Sequence, residues 1–309
     1  MICLGEDGEM KMEEKEIPPR KEIKKVGVVG CGQMGSGYVQ LCAQKGYKVV
    51  VSEVNDELLN KGLALINARL TESVSQGALS AGEKENILVR ISGTTNLQSL
   101  SDCDLVIEAA TEKMEAKKKI FAELDKVCSK DILLATNTSV LSVLDMAMAT
   151  TRPDKVLGIH MNPLIFPVAE IIKTIVNSNE TVEVAKNFSQ SLGKYVVIAK
   201  DTPGFIINRL ITPLFLEAIR MLESGVADKE EIDAAFTRGM GWSVGPFAMI
   251  DGVGLDTLLL GTNALYEDLK NPQFVAPILL KKMVTAGQLG VKTGKGFYEY
   301  QEPKKDSKS

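Results

Sequence analysis

The short apolar run Val26–Val29, followed at once by Gly30-Cys31-Gly32-Gln33-Met34-Gly35, constrains the fold of this chain more than any other feature. Beyond it, Met34, Tyr38, Leu41 and Cys42 recur at helical spacing, and Tyr47–Val51 is a second run rich in β-branched residues. Strand, glycine turn, helix, strand is one βαβ unit, and its two strands run parallel. In such a turn Gly30 permits the tight reversal and Gly32 lets the backbone come close to a pyrophosphate. Gly35 allows close contact between helix and strand. The helix opens at Gln33 and Met34, so its unpaired N–H groups and positive dipole end face phosphates.

Glu53 ends the second strand. A carboxylate there accepts hydrogen bonds from a ribose 2′-hydroxyl and repels a 2′-phosphate. No arginine follows in Val54-Asn55-Asp56 to reverse that preference. The expected cofactor is NAD.

Further strand candidates are Asp104–Ala109, Ile132–Thr136, Val156–Met161, Glu170–Ile175 and Tyr195–Ile198, with helical patterns between several of them, such as Glu115–Cys128 and Val182–Leu192. Short buried runs alternating with helices predict a mainly parallel sheet covered on both faces. Residues 56–87 form a longer crossover. Leu59, Leu63, Ile66, Leu70 and Val74 sit at helical spacing, then comes a turn at Gln76-Gly77 and a second short helix from about Ser80. After Asp201-Thr202-Pro203-Gly204 the pattern is helical throughout, beginning with Phe205 to Gly225 and Lys229 to Arg238. The expectation is α/β: a Rossmann-type doubly wound parallel sheet with an inserted helical hairpin over 23–201, then an all-helical domain over 202–309. Residues 1–22 are polar, lack the apolar core of a signal peptide, and read as a tail.

The single histidine, His160, ends the Val156–Met161 run. Ligands in open α/β sheets bind beyond the carboxyl ends of strands. An imidazole there can take a proton from a hydroxyl while the carbon gives up hydride. Such a base needs an orienting carboxylate, and Glu170 opens the next apolar run. Asn137-Thr138-Ser139 follows another strand at the same sheet edge, and Asn208 lies early in the first helix past the apparent hinge, where its amide can donate to a reacting oxygen.

The remaining composition excludes more than it adds. The formal net charge is -4 with mixed signs, and no basic run suggests nucleic acid. One histidine and five scattered cysteines give no metal ligand set and fit a reducing, cytoplasmic location. No apolar stretch is long enough to cross a membrane. Apolar residues of the helical half, among them Leu214, Phe215, Ile219, Leu222, Leu258, Leu259, Ile278 and Leu279, predict a homodimer through that domain.

From about Lys24 to Tyr300 the chain resembles the L-3-hydroxyacyl-CoA dehydrogenase family, including 3-hydroxybutyryl-CoA dehydrogenases. The resemblance rests on VGVVGCGQMGSG at 26–37, DLVIEAATEKMEAKKKIFAELD at 104–125 and NTSVLS at 137–142. It continues through TRPDKVLGIHMNP at 151–163, KDTPGFIINRL at 200–210, GPFAMIDGVGLD at 245–256 and KTGKGFYEY at 292–300. It implies a nucleotide-binding domain, a helical domain that usually dimerises, and a short-chain CoA thioester as substrate. A free hydroxy acid on the same scaffold is the alternative. The family's catalytic histidine and glutamate fall on His160 and Glu170, its serine on Ser139, its asparagine on Asn208. The acidic residue near the nicotinamide falls on Glu112, the motif lysine on Lys117, and Asn137 joins the cofactor side. Two departures stand out. The His160–Glu170 interval is two positions shorter than the family's, which implies a remodelled acyl-pocket wall. The hairpin also carries Glu72 and neutral residues where many relatives have cations facing coenzyme A, although Lys61 and Arg69 remain.

Overall fold

The computed structural model describes residues 22–300, so all but the last residue of the tail expected over 1–22 lies outside the described residues. The strands are β1 (Lys25–Val29), β2 (Lys48–Ser52), β3 (Ile91–Thr94), β4 (Leu105–Glu108), β5 (Leu133–Thr136), β6 (Val156–His160), β7 (Val168–Lys173) and β8 (Tyr195–Lys200). They form one eight-stranded sheet in the order β3-β2-β1-β4-β5-β6-β7-β8. The chain runs outward from β1 to one edge, returns to the centre, and continues to the other edge. This is the doubly wound arrangement, with its switch point between β1 and β4.

Helices α1 (Gln33–Gln44), α2 (Asp56–Ser75), α3 (Ala81–Leu88), α4 (Met114–Val127), α5 (Val143–Ala147) and α6 (Asn179–Ser191) belong to this domain. One buried cluster joins α1, α2 and α6 to alternate residues of the strands, such as Val28, Val51, Ile107 and Ile159. A second, including Val106, Leu134, Phe121 and Leu124, joins the opposite face to α4. The hairpin of α2 and α3 folds where the sequence places it. Asn55 caps α2 by accepting from Leu58 N–H, and Ser80 and Glu83 form a reciprocal capping box on α3.

Two features differ from the sequence expectation. β3 has no apolar run to announce it: it is a half-exposed edge strand containing Ser92 and Gly93. β7 pairs antiparallel with β6, and β8 follows β7 in parallel. Only residues 161–167 connect β6 to β7. That span is too short for the helical crossover a parallel pair requires, so the chain turns back on itself.

The rest is helical: α7 (Ile207–Glu223), α8 (Lys229–Ala234), α9 (Pro246–Val253), α10 (Leu255–Leu269) and α11 (Ile278–Thr285). Their core gathers Phe215, Leu216, Ile219, Phe247, Ile250, Leu255 and Leu280. Phe215, Ile219 and Leu258, read from sequence as contact surface, are thus buried within the domain itself, while Ile278 stays 66% exposed. No described helix is long and apolar enough to cross a membrane.

Candidate active site

The glycine turn lies where β1 meets α1. Gly30 adopts a φ of 94°, and a Cβ there would come within 2.8 Å of the Ala109 carbonyl oxygen. A Cβ on Gly35 would overlap the Gly30 carbonyl, whereas one on Gly32 would meet nothing within 4 Å. The turn is therefore closed on its protein side and open at Gly32. No side chain caps α1, which leaves the first-turn N–H groups at Gln33, Met34 and Gly35 for an anion. Glu53 closes the other side, accepting from Cys31 N–H at 2.7 Å and Val54 N–H at 3.0 Å. An uncapped helix start, an open glycine and a carboxylate at the end of β2 fit a dinucleotide with a free 2′-hydroxyl.

The ends of β4 and β5 hold a second group. Glu108, 0% exposed, receives two bonds of 2.8 Å from Lys117 Nζ, one of 2.7 Å from Thr136 Oγ1 and one of 2.8 Å from Ala110 N–H. Every partner of this buried ion pair is supplied, as its desolvation requires. Lys117 also reaches Glu112 at 3.4 Å, and Glu112 Oε1 accepts from Thr138 Oγ1 at 2.5 Å and Ser139 N–H at 2.9 Å. Lys117, placed on the cofactor by resemblance, is 1% exposed, its amine bonded to Glu108 and beside Glu112, where it braces the loop carrying Asn137, Thr138 and Ser139.

His160 and Glu170 stand directly opposite each other in the antiparallel ladder. Opposed residues project to the same face, so the shortened connection leaves the pair aligned. Glu170 Oε2 lies 2.6 Å from His160 Nδ1. The other oxygen, Oε1, accepts from Ile206 N–H at 2.9 Å and Ile207 N–H at 3.0 Å, at the start of α7. Burial pushes the Glu170 carboxyl up, but the hydrogen bond and charge of His160 and the two backbone N–H groups outweigh it, and the net shift is downward. An ionised carboxylate can only accept, so Nδ1 carries the hydrogen. In the neutral ring Nε2 then keeps its lone pair, 3.3 Å from Ser139 Oγ. Asn208 closes the group, its Nδ2 reaching the Ser139 carbonyl at 3.5 Å.

The chain enters α7 through Gly204 and Phe205, both at positive φ (74° and 48°). For phenylalanine that conformation is strained by about 1 kcal/mol. It turns the next two N–H groups onto Glu170 and sets the Phe205 ring 5.5 Å from the imidazole, tilted by 57°. Neither Phe205 nor Glu108 was picked out from sequence. A carboxylate at the end of the apolar run Leu105-Val106-Ile107 is the available signal for Glu108, but nothing marks Phe205.

His160, Glu170, Ser139 and Asn208 thus meet in one cluster, with Glu112 one bond away and Asn137 beside it. On the hairpin, Arg69 turns inward to Ser36 Oγ at 3.0 Å rather than standing free on the outer face. Among the described residues no group of His, Cys, Asp and Glu side chains gathers as a metal site.

Residues 25–202 match the family model described as 3-hydroxyacyl-CoA dehydrogenase, NAD binding domain, and residues 204–300 match that of the C-terminal domain. The 3-hydroxybutyryl-CoA dehydrogenase of Bradyrhizobium diazoefficiens is 42% identical over 91% of this chain and 97% of its own length. The crystal structure of FadB2 from Mycobacterium tuberculosis superposes with a TM-score of 0.89 at 42% identity, over 91% of this chain and 100% of that one. That of (S)-3-hydroxybutyryl-CoA dehydrogenase from Ralstonia eutropha gives 0.84 at 37%, over the same shares. Two matched domains and these full-length likenesses place the chain in the 3-hydroxyacyl-CoA dehydrogenase family.

Proposed function

We propose that this chain interconverts a short-chain 3-hydroxyacyl-CoA and its 3-oxoacyl-CoA, with His160 as the acid–base group. NAD, when bound, accepts or returns the hydride. The observation that carries the reading is the placement of the His160 ring: Nδ1 lies 2.6 Å from the Glu170 carboxylate and Nε2 3.3 Å from the Ser139 hydroxyl. In the oxidation direction Nε2 takes the substrate hydroxyl proton as the carbon–hydrogen bond breaks, and Glu170 stabilises the imidazolium that results. In reduction the same proton returns to the oxygen. Ser139 Oγ and the Asn208 amide hold that oxygen by hydrogen bonds. Gly30, Gly32, Gln33, Met34 and Gly35 cradle the phosphates, Glu53 holds the adenosine ribose, and Asn137 and Glu112, the latter braced by Lys117, serve the nicotinamide side.

The short acyl chain rests on the named activities of the 3-hydroxybutyryl-CoA relatives. We also place the protein in the cytoplasm as a homodimer. The described cysteines, all free and buried, support a reducing compartment. Exposed Leu210, Leu260 and Ile278 on the helical domain support the dimer. Turnover of acetoacetyl-CoA measured beside free 3-oxo acids tests the substrate class. The CoA thioester should win by orders of magnitude in kcat/KM, and equal or better use of the free acid would overturn the reading.

A further inference from the structure

Tyr38 lies on α1, one turn past the phosphate loop, and is completely buried. Its hydroxyl sits 2.7 Å from Asn137 Oδ1 and 2.6 Å from the Ile159 carbonyl oxygen. The direction of these bonds is fixed. Met161 N–H, which can only donate, points at Asn137 Oδ1 from 3.2 Å, so the amide presents its oxygen on this side. The phenol is therefore the donor, its one hydrogen shared between two acceptors. Burial raises its pKa well above the ordinary phenol value, which keeps it protonated at any working pH.

The consequence falls on Asn137. The side-chain oxygen of this residue is held by two donors, while its backbone N–H is tied to the Glu108 carbonyl at 2.8 Å. Nδ2, at the other corner of the amide, donates to no described residue, and Asn137 keeps 8% exposure at the end of β5. Rotating the amide by half a turn would set N–H2 against Met161 N–H and forfeit that bond, so Met161 fixes the orientation that Tyr38 then holds. The second acceptor, Ile159, is the neighbour of His160 on β6.

We propose that Tyr38 is a positioning residue: together with Met161 N–H it holds the Asn137 amide in place, with the N–H2 turned to the bound cofactor. This rests on the reading of Asn137 as a cofactor ligand. NADH affinity, followed by fluorescence titration without substrate, tests it in a double-mutant cycle. Tyr38→Phe removes one oxygen and should weaken NADH binding about three- to tenfold, the worth of one neutral hydrogen bond. In an Asn137→Ala background the same change should have less than about a twofold effect, because Tyr38 acts through the amide. Asn137→Asp keeps the acceptor for Tyr38 but has no N–H2, and should lose as much affinity as Asn137→Ala.

Unchanged affinity in Tyr38→Phe, or an equal loss in both backgrounds, would overturn the proposal and leave Asn137 as a ligand. Unchanged affinity in Asn137→Ala would remove Asn137 from the cofactor site, and the proposal with it. Wild-type binding by Asn137→Asp would show that the N–H2 is not the group presented, whether or not Tyr38→Phe folds.

Discussion

Glu170→Gln puts the acid–base assignment under the most direct strain. The side chain is fully buried and its two oxygens receive three hydrogens: one from His160 Nδ1 and two from the first turn of α7. Glutamine can keep its oxygen on Ile206 and Ile207 only by turning N–H2 toward Nδ1. The ring then favours the tautomer with hydrogen on Nε2, which cannot accept a proton. Loss of the charged partner alone removes about 1.5–3 kcal/mol from the imidazolium, or roughly 10- to 150-fold in rate at about 1.4 kcal/mol per decade. The wrong tautomer lowers kcat further, so a loss on the order of 10²–10³ is expected. His160→Gln should cost about 10²–10⁴, and the double variant little more than the worse single one, because the two act as a unit. The assay is steady-state reduction of acetoacetyl-CoA followed by NADH absorbance, with NADH affinity measured alongside and expected to hold. Near-wild-type turnover in Glu170→Gln with collapse in Glu112→Gln would move the orienting role to Glu112. Near-wild-type turnover in His160→Gln would refute the acid–base mechanism altogether.

Three further outcomes follow from the geometry. Glu53→Arg should narrow or reverse a strong preference for NADH over NADPH, and equal kcat/KM for the two cofactors in the unmodified protein would contradict the role of the carboxylate. Lys117→Met strands the buried Glu108 carboxylate and should lower stability in urea unfolding by about 3–5 kcal/mol, part of it recovered by adding Glu108→Gln; a change below about 1 kcal/mol would mean the pair is hydrated. Sedimentation at micromolar concentration should give a dimer, and Leu210→Glu with Ile278→Glu should shift it to monomer.

Much of the fold was legible because a doubly wound sheet writes itself as short β-branched runs separated by helical periodicity. The exceptions have physical causes. β3 is an edge strand and pays no hydrophobic signal for being half exposed. The reversed direction of β7 is a tertiary fact that periodicity does not carry, although the shortness of the 161–167 connection does. The residues that gather in the candidate cluster were legible, since His160 ends β6, Ser139 follows β5, Glu170 lies early in β7 and Asn208 follows the hinge. Its supports were not. Tyr38 and Phe205 look like ordinary core positions in sequence. Glu108 looks like a strand-end charge until the fold buries it, and Lys117, marked by resemblance for the cofactor, shows its tie to Glu108 only in the fold.

The position of Glu170 also explains why the site needs two domains. One oxygen meets the imidazole of the sheet domain and the other the N-terminus of the helical domain, so a single carboxylate joins His160 to the helix that carries Asn208. The positive end of α7 stabilises the carboxylate from one side and His160 from the other, in agreement with its lowered affinity for a proton. That contribution to stability is fully present above the ordinary glutamate value of about 4.3 and is lost as pH falls through the depressed folded value. Protonation there releases Nδ1 and the α7 N–H groups together. Acid unfolding of the wild type below about pH 4 should therefore be steeper than that of Glu170→Gln, which has no proton to gain. Parallel acid profiles in circular dichroism would show that Glu170 does not link the two domains.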